Sequence, residues 1–159
     1  MTVYRHWEET LNTQLAMLLS RFGVQADAET IQASGRERPD VLFNWQGLRV
    51  IIEGKFADHA NARDVVLQDA LGRVQRGIAH LAAAVVYPSP LRQVATSELL
   101  DSLEPAILAY CIVGENEETS AWFEGTPAAL MDALRRAQEA LAREPGLTGK
   151  SAVGRRMGK

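Results

Sequence analysis

Two carboxylates and one ammonium group stand at a suggestive spacing in the first third of the sequence. Asp40 follows Pro39, and twelve residues separate Asp40 from Glu53. Glu53 and Lys55 are two residues apart, so on a β-strand their side chains point to the same face. Residues 50–52 are Val-Ile-Ile, which indicates a buried strand. Charged side chains on a buried strand are costly unless they are paired or bind a metal.

These three side chains have the chemistry of a divalent-metal site. Two adjacent carboxylates repel each other unless a hard cation such as Mg²⁺ or Mn²⁺ binds between their oxygens. A bound cation polarises a phosphate and lowers the pKa of a water molecule. Lys55 can then orient or deprotonate that water and stabilise negative charge in the transition state. In the alternative interpretation, Asp40 begins a turn, and Glu53 forms an exposed ion pair with Lys55 on an edge strand.

The elements around these residues are predicted from hydrophobic periodicity and turn signals. Residues 39–45 and 48–55 predict two antiparallel strands joined at Gln46-Gly47, and such a hairpin can bring Asp40 beside Glu53. The other predicted elements are helices at 4–22, 61–80 and from Pro127 onward, a short helix within 91–104, and strands at 82–87, 106–113 and 120–124. Residues 25–38 are polar and predict irregular structure. The sequence therefore predicts an α/β domain in which helices flank a mixed sheet of about five strands.

Pro39-Asp40 followed by Glu53-Gly54-Lys55 resembles the PD-(D/E)XK motif of restriction-endonuclease-like nucleases. The resemblance implies a restriction-endonuclease-like fold with Mg²⁺ or Mn²⁺ as cofactor. It implies that Asp40, Glu53 and the Gly54 carbonyl bind the metal and that Lys55 is the catalytic lysine. The predicted order, with a helix before the hairpin and a helix and a strand after it, matches that superfamily core.

Glu8 is a candidate for a further catalytic carboxylate. Many members of the superfamily carry an acidic residue on the first helix. Glu8 falls within the apolar stripe of that helix, which is centred between Leu11 and Leu15. Alternatively, Glu8 is a first-turn glutamate favoured by the helix dipole.

The second helix offers candidates for substrate binding. Gln68 lies on one edge of the apolar stripe, an edge that can face a cleft. Some nuclease lineages place Gln-x-x-x-Tyr here, whereas this sequence has Gly72 in the fourth place. Arg73 and Arg76 lie on the opposite edge, where they contact phosphates or are simply solvated.

Composition and length limit the class of protein. The chain has 159 residues, 47% of them hydrophobic and 23% charged, with one cysteine and a net charge of −3. This predicts one nuclease-like domain over residues 1–145, followed by a basic, disordered tail at 146–159. No signal-peptide pattern or membrane-length apolar run is present, which predicts a cytoplasmic protein without membrane contact.

The sequence as a whole predicts a metal-dependent endonuclease that hydrolyses DNA phosphodiester bonds. By resemblance, it would be a module of a restriction or defence system. Its negative charge counts against autonomous DNA binding, because phosphate recognition is largely electrostatic, and favours a homodimer or a partner subunit. The alternative is a non-catalytic nucleic-acid-binding or assembly subunit that retains the nuclease scaffold, since fold does not imply activity.

Overall fold

The computed structural model describes residues 8–21, 27–32, 39–45 and 48–143. The helices are α1 (Glu8–Arg21), α2 (Ala62–Gln75), α3 (Leu99–Leu103) and α4 (Pro127–Arg143). The strands are β1 (Asp27–Gln32), β2 (Pro39–Trp45), β3 (Leu48–Phe56), β4 (Leu81–Tyr87), β5 (Leu108–Val113) and β6 (Phe123–Gly125). Short 3₁₀ turns at Ser89–Gln93 and Thr96–Glu98 connect β4 to α3. The predicted α/β class, with helices flanking a mixed sheet, is confirmed.

The described strands form one mixed six-stranded sheet in the order β1-β2-β3-β4-β5-β6. Neighbouring strands are antiparallel except for β3 and β4, which are parallel. A parallel pair needs a crossover connection, and α2 provides it. Strand β3 therefore lies inside the sheet, between the antiparallel β2 and the parallel β4.

Two hydrophobic layers cover the two faces of the sheet. Val50, Ile52 and Phe56 of β3 pack on the side that holds α1, α3 and α4. Ile51 packs on the opposite side, against the Val66 face of α2. All seven residues of β4 are buried between these layers. Successive residues of β3 thus point into different layers.

Helix α2 ends earlier than the predicted 61–80, because a glycine stops it. Gly77 adopts the left-handed conformation, with φ 77°. Its N–H donates to the Val74 carbonyl, and the N–H of Ile78 donates to the Arg73 carbonyl. These bonds form a Schellman cap, which satisfies carbonyls at the end of the helix. Ile78 fits the apolar spacing of the helix, which is why the predicted helix extended past it. In the structure, Ile78 follows the capping glycine and packs against the hydrophobic layer on the α2 side.

Strand β1 lies where irregular structure was predicted, so the sheet has one strand more than predicted. Asp27–Gln32 contains a single large aliphatic residue, Ile31, and therefore lacks the apolar pattern on which strand prediction relies. Strand β1 is held by backbone hydrogen bonds to the antiparallel β2, and no local sequence pattern predicts that pairing.

Several local predictions are confirmed. Helix α4 begins at Pro127, and Thr126 Oγ1 accepts a hydrogen bond from Ala129 N at 3.4 Å. Cys111 is buried.

Residues 4–7, the turn at 46–47 and the tail at 146–159 lie outside the described ranges. None of the described helices is both long and apolar enough to cross a membrane.

Candidate functional site

Strand β3 presents the candidate residues on both of its faces. Glu53 and Lys55 lie on the α2 face, because Ile51 packs there and alternate residues of a strand share a face. Gly54 lies on the opposite face, toward α1. The two charged side chains of the motif therefore share one layer, and the glycine faces the other.

Asp40 and Glu53 lie at the same end of the ladder between β2 and β3. Val41 is the partner of Ile52 in the antiparallel ladder between β2 and β3. Asp40 lies one residue before Val41, and Glu53 lies one residue after Ile52. Both residues therefore lie just beyond this pair, at the same end of the ladder. The side chain of Asp40 is outside the described part of the structure, so the convergence of the two carboxylates stays a prediction.

Glu53 forms an ion pair with Arg73 in the last turn of α2. Arg73 Nε donates to Glu53 Oε2 at 2.8 Å, and the two side chains are only 15% and 14% exposed. A carboxylate this buried would be costly without a positive partner. Strand β3 is interior and Glu53 is largely buried, so the alternative of an exposed ion pair on an edge strand does not describe Glu53.

Behind the motif, a buried hydrogen-bond network fixes the α1 face of β3. The Tyr87 hydroxyl donates to Asn12 Oδ1 at 2.7 Å, and Asn12 Nδ2 donates to the Ile52 carbonyl at 3.4 Å. A methyl group added at Gly54 would overlap Asn12 Oδ1 and would lie 2.5 Å from Cε2 of Tyr87. Packing against this network therefore demands glycine between the two charged residues.

Glu8 lies with this network on the α1 face. Burial, and in second place the negative charge of Glu8, raise the pKa of Tyr87 well above its usual value. The side chains of Glu53 and Lys55 occupy the other face of the sheet. The charge of Glu8 thus acts on Tyr87, and a role for Glu8 in the metal site stays a prediction.

The candidate residues of α2 occupy different environments. Gln68 and Arg76 are exposed, and Arg76 Nε donates to the Gly72 carbonyl at 3.1 Å. Arg73 is neither solvated nor remote from the motif, because it contacts Glu53. The edge of α2 that meets the motif is therefore the one that carries Arg73.

Sequence reasoning missed Asn12 and Tyr87. Asn12 is 7% exposed although it follows Leu11 in the apolar part of α1. A polar residue at such a position is a usable signal, because buried amides need hydrogen-bond partners. Tyr87 ends an otherwise aliphatic strand, and a buried tyrosine hydroxyl also requires a partner.

A cleft of about 680 Å³ opens beyond the carboxyl ends of β3 and β4. Its walls include the turn between β3 and α2, the end of β4 and the start of β5. Arg63 on this rim forms an ion pair with Glu124 at 3.3 Å and lies 5.1 Å from the ring centre of Trp122. In open α/β sheets, the carboxyl ends of the strands are a common place for ligands.

Among the described residues, no three His, Cys, Asp or Glu side chains converge in a way that could hold a metal. Asp40 is not among those residues, because its side chain lies outside the described part of the structure. Comparisons with protein-family models, curated proteins and solved structures found no match to this chain. Function is therefore inferred from the residues themselves.

Proposed function

We propose that the protein is a divalent-metal-dependent nuclease with a restriction-endonuclease-like fold that hydrolyses phosphodiester bonds in DNA. The observation that carries this proposal is the register of β2 and β3, in which Asp40 and Glu53 each lie one residue beyond the pair of Val41 and Ile52. Lys55 lies on the same face as Glu53. The order of elements supports it, because α1 precedes the hairpin and α2 and β4 follow it. This is the order that the PD-(D/E)XK resemblance implies.

The donor set fits Mg²⁺ or Mn²⁺ in chemical type. Asp40 and Glu53 would hold the cation through carboxylate oxygens, and Gly54 through its backbone carbonyl. The burial of Glu53 supports this fit, because a largely buried carboxylate, here 14% exposed, is stable only when it is paired or bound to a metal. When bound, such a cation polarises the phosphate and lowers the pKa of a water molecule.

The protein's own side chains supply orientation and charge. Lys55 orients the attacking water and stabilises negative charge on the phosphate from the face that it shares with Glu53. Arg73 is suited to phosphate, because a guanidinium can donate two parallel hydrogen bonds to it. Gln68 and Arg76, exposed on α2, extend the proposed DNA contact. The net charge of −3 favours a homodimer or a partner subunit for DNA binding.

A cleavage assay tests the proposed activity. Purified protein is incubated with plasmid, linear and single-stranded DNA in the presence of Mg²⁺, Mn²⁺ or EDTA. We expect cleavage with the cations and none with EDTA, and we expect Asp40→Asn and Glu53→Gln to abolish it. Asp132→Asn is the matched control, because Asp132 is an exposed carboxylate on α4. Cleavage that persists in Asp40→Asn would refute the proposed site.

One observation favours a second candidate, a non-catalytic nucleic-acid-binding or assembly subunit. Glu53 already has a close partner in Arg73, which is the arrangement expected of a purely structural ion pair. This candidate predicts that the wild-type protein binds DNA equally well in EDTA and in Mg²⁺ and never cuts it. It also predicts that Asp40→Asn leaves the DNA affinity unchanged. Gel-shift and cleavage measurements on the same samples separate the two functions.

A further inference from the structure

Arg73 forms an ion pair with Glu53, the carboxylate that the proposed metal site requires. Its Nε atom lies 2.8 Å from Glu53 Oε2, and both side chains are largely buried. Resting on the proposed function, we propose that Arg73 competes with the divalent cation for Glu53 and that a DNA phosphate releases the carboxylate by taking Arg73 as its own partner. Metal binding and DNA binding are thereby coupled through one arginine.

Electrostatics sets the direction of this competition. A dication on Glu53 would lie close to the positive guanidinium of Arg73, and two positive groups at that separation repel each other. Solvent and salt screen a largely buried pair less than an exposed one. Arg73 therefore weakens cation binding as long as its side chain stays on Glu53.

A phosphodiester group is a suitable alternative partner for Arg73. Guanidinium and phosphate match in geometry and form charge-assisted hydrogen bonds, frequently as a bidentate pair. When Arg73 turns to a phosphate, its hydrogen bond to Glu53 Oε2 is broken and that oxygen can bind the cation. By thermodynamic reciprocity, DNA then raises the affinity for the metal, and the metal raises the affinity for DNA.

The first test measures Mn²⁺ affinity without DNA, from the electron paramagnetic resonance signal of free Mn²⁺. The samples are the wild-type protein, Arg73→Gln and the control Arg135→Gln, which removes an arginine on α4 whose side chain is 44% exposed. Glutamine retains an N–H donor for Glu53 but carries no charge. We expect Arg73→Gln to bind Mn²⁺ more tightly by roughly 5–150-fold, the usual range of such coupling. The control should match the wild type.

The second test measures the coupling with DNA. Lys55→Ala is used as the background, so that the duplex stays intact during the titration. A phosphodiester duplex should raise the Mn²⁺ affinity of Lys55→Ala, whereas a duplex with an uncharged methylphosphonate backbone should not. The double variant Lys55→Ala/Arg73→Gln should show no such gain. An equal gain in both proteins would overturn the proposal.

A third measurement keeps the ion pair intact and so does not depend on the folding of Arg73→Gln. The side-chain Nε–H resonance of Arg73, assigned with Arg73→Lys, should shift as Mg²⁺ saturates the wild-type protein, while that of Arg135 should not. An Arg73 signal unmoved at saturation would contradict the competition.

The possible failures of the proposed function and of the competition are distinguishable. If neither the wild type nor Arg73→Gln binds Mn²⁺, the metal site itself is refuted. If both bind it with equal affinity, or Arg73→Gln binds it more weakly, the site stands and only the competition is refuted. The weaker result would mean that Arg73 orients Glu53 for the metal.

Discussion

At the scale of single residues, the two charged side chains of the motif share a face of β3 but lie at different points along it. Glu53 is held by Arg73 from α2, which fixes the carboxylate inside the α2 layer of the sheet. Lys55 lies on the same face, two residues nearer the carboxyl end of β3. If the carboxylate serves the metal and the ammonium serves the substrate, their substitution should separate binding from chemistry.

Lys55→Ala should abolish DNA cleavage and leave metal binding and folding nearly intact. In the proposed mechanism the lysine acts on the water and the transition state, and loss of one such interaction typically reduces the rate on the order of 10²–10³-fold. Asp40→Ala should lose metal affinity and cleavage together. Cleavage rates and Mn²⁺ affinities measured on the same preparations check this separation. Full cleavage by well-folded Lys55→Ala would reject the assigned role.

Tyr87 should make the protein sensitive to alkaline pH. Burial and the negative charge of Glu8 raise the pKa of Tyr87 in the folded state. In the unfolded chain the tyrosine pKa is about 10, so just above pH 10 the unfolded chain releases a proton that the folded protein still holds. Above that pH the unfolded state binds fewer protons, so the free energy of unfolding falls as pH rises. The contribution of Tyr87 to this slope approaches about 1.4 kcal/mol per pH unit.

Tyr87→Phe removes that contribution and also the hydroxyl that donates to Asn12. We expect it to lower the free energy of unfolding at neutral pH by about 1–3 kcal/mol, because Asn12 Oδ1 loses its donor. Above pH 10 its stability should fall less steeply with pH than that of the wild type. Denaturant unfolding at a series of pH values measures both effects, and equal alkaline slopes would contradict the assignment.

At the scale of elements, two glycines show how packing decides the effect of the same substitution. Gly54 lies in β3 against the Asn12 and Tyr87 side chains of the α1 layer. Gly72 lies in α2, where an added Cβ would meet the Nη2 end of the flexible Arg76 side chain at 3.2 Å. The first site has rigid, buried neighbours, whereas the second has a neighbour that can move.

Gly54→Ala should destabilise the fold, and Gly72→Ala should stabilise it. Overpacking a well-packed core typically costs about 1–3 kcal/mol. Replacing glycine by alanine inside a helix gains roughly 0.5–1 kcal/mol, because glycine loses more backbone freedom on folding. Urea denaturation of the two variants beside the wild type gives the comparison. A Gly54→Ala protein as stable as the wild type, or more stable, would show that Gly54 is not constrained by its neighbours.

At the scale of the whole molecule, a cation bound only by the native state should stabilise the fold by mass action. The gain is about 2.7 kcal/mol when the free cation is at 100 times its Kd. We therefore expect millimolar Mn²⁺ to raise the Tm of the wild-type protein and EDTA to reverse the effect. Glu53→Gln should abolish the shift, whereas the control Asp132→Asn should retain it. A wild-type Tm that Mn²⁺ leaves unchanged would contradict the proposed metal site.

The sequence by itself determined the elements whose pattern is local. Alternating and helical apolar spacing predicted β2 to β5 and the long helices, and Thr126 with Pro127 predicted where α4 begins. It also predicted that Glu53 and Lys55 share a face, because a strand has a period of two. These features depend on neighbouring residues along the chain, and a single sequence contains that information.

The tertiary structure alone decided which distant side chains meet. Arg73 lies 20 positions after Glu53 in the chain, and Tyr87 lies 75 positions after Asn12. No spacing along the chain encodes either pair, because each depends on how α2 and α1 pack on opposite faces of the sheet. The polar strand β1 escaped prediction for a related reason, since its pairing with β2 comes from backbone hydrogen bonds that any side-chain pattern can accompany.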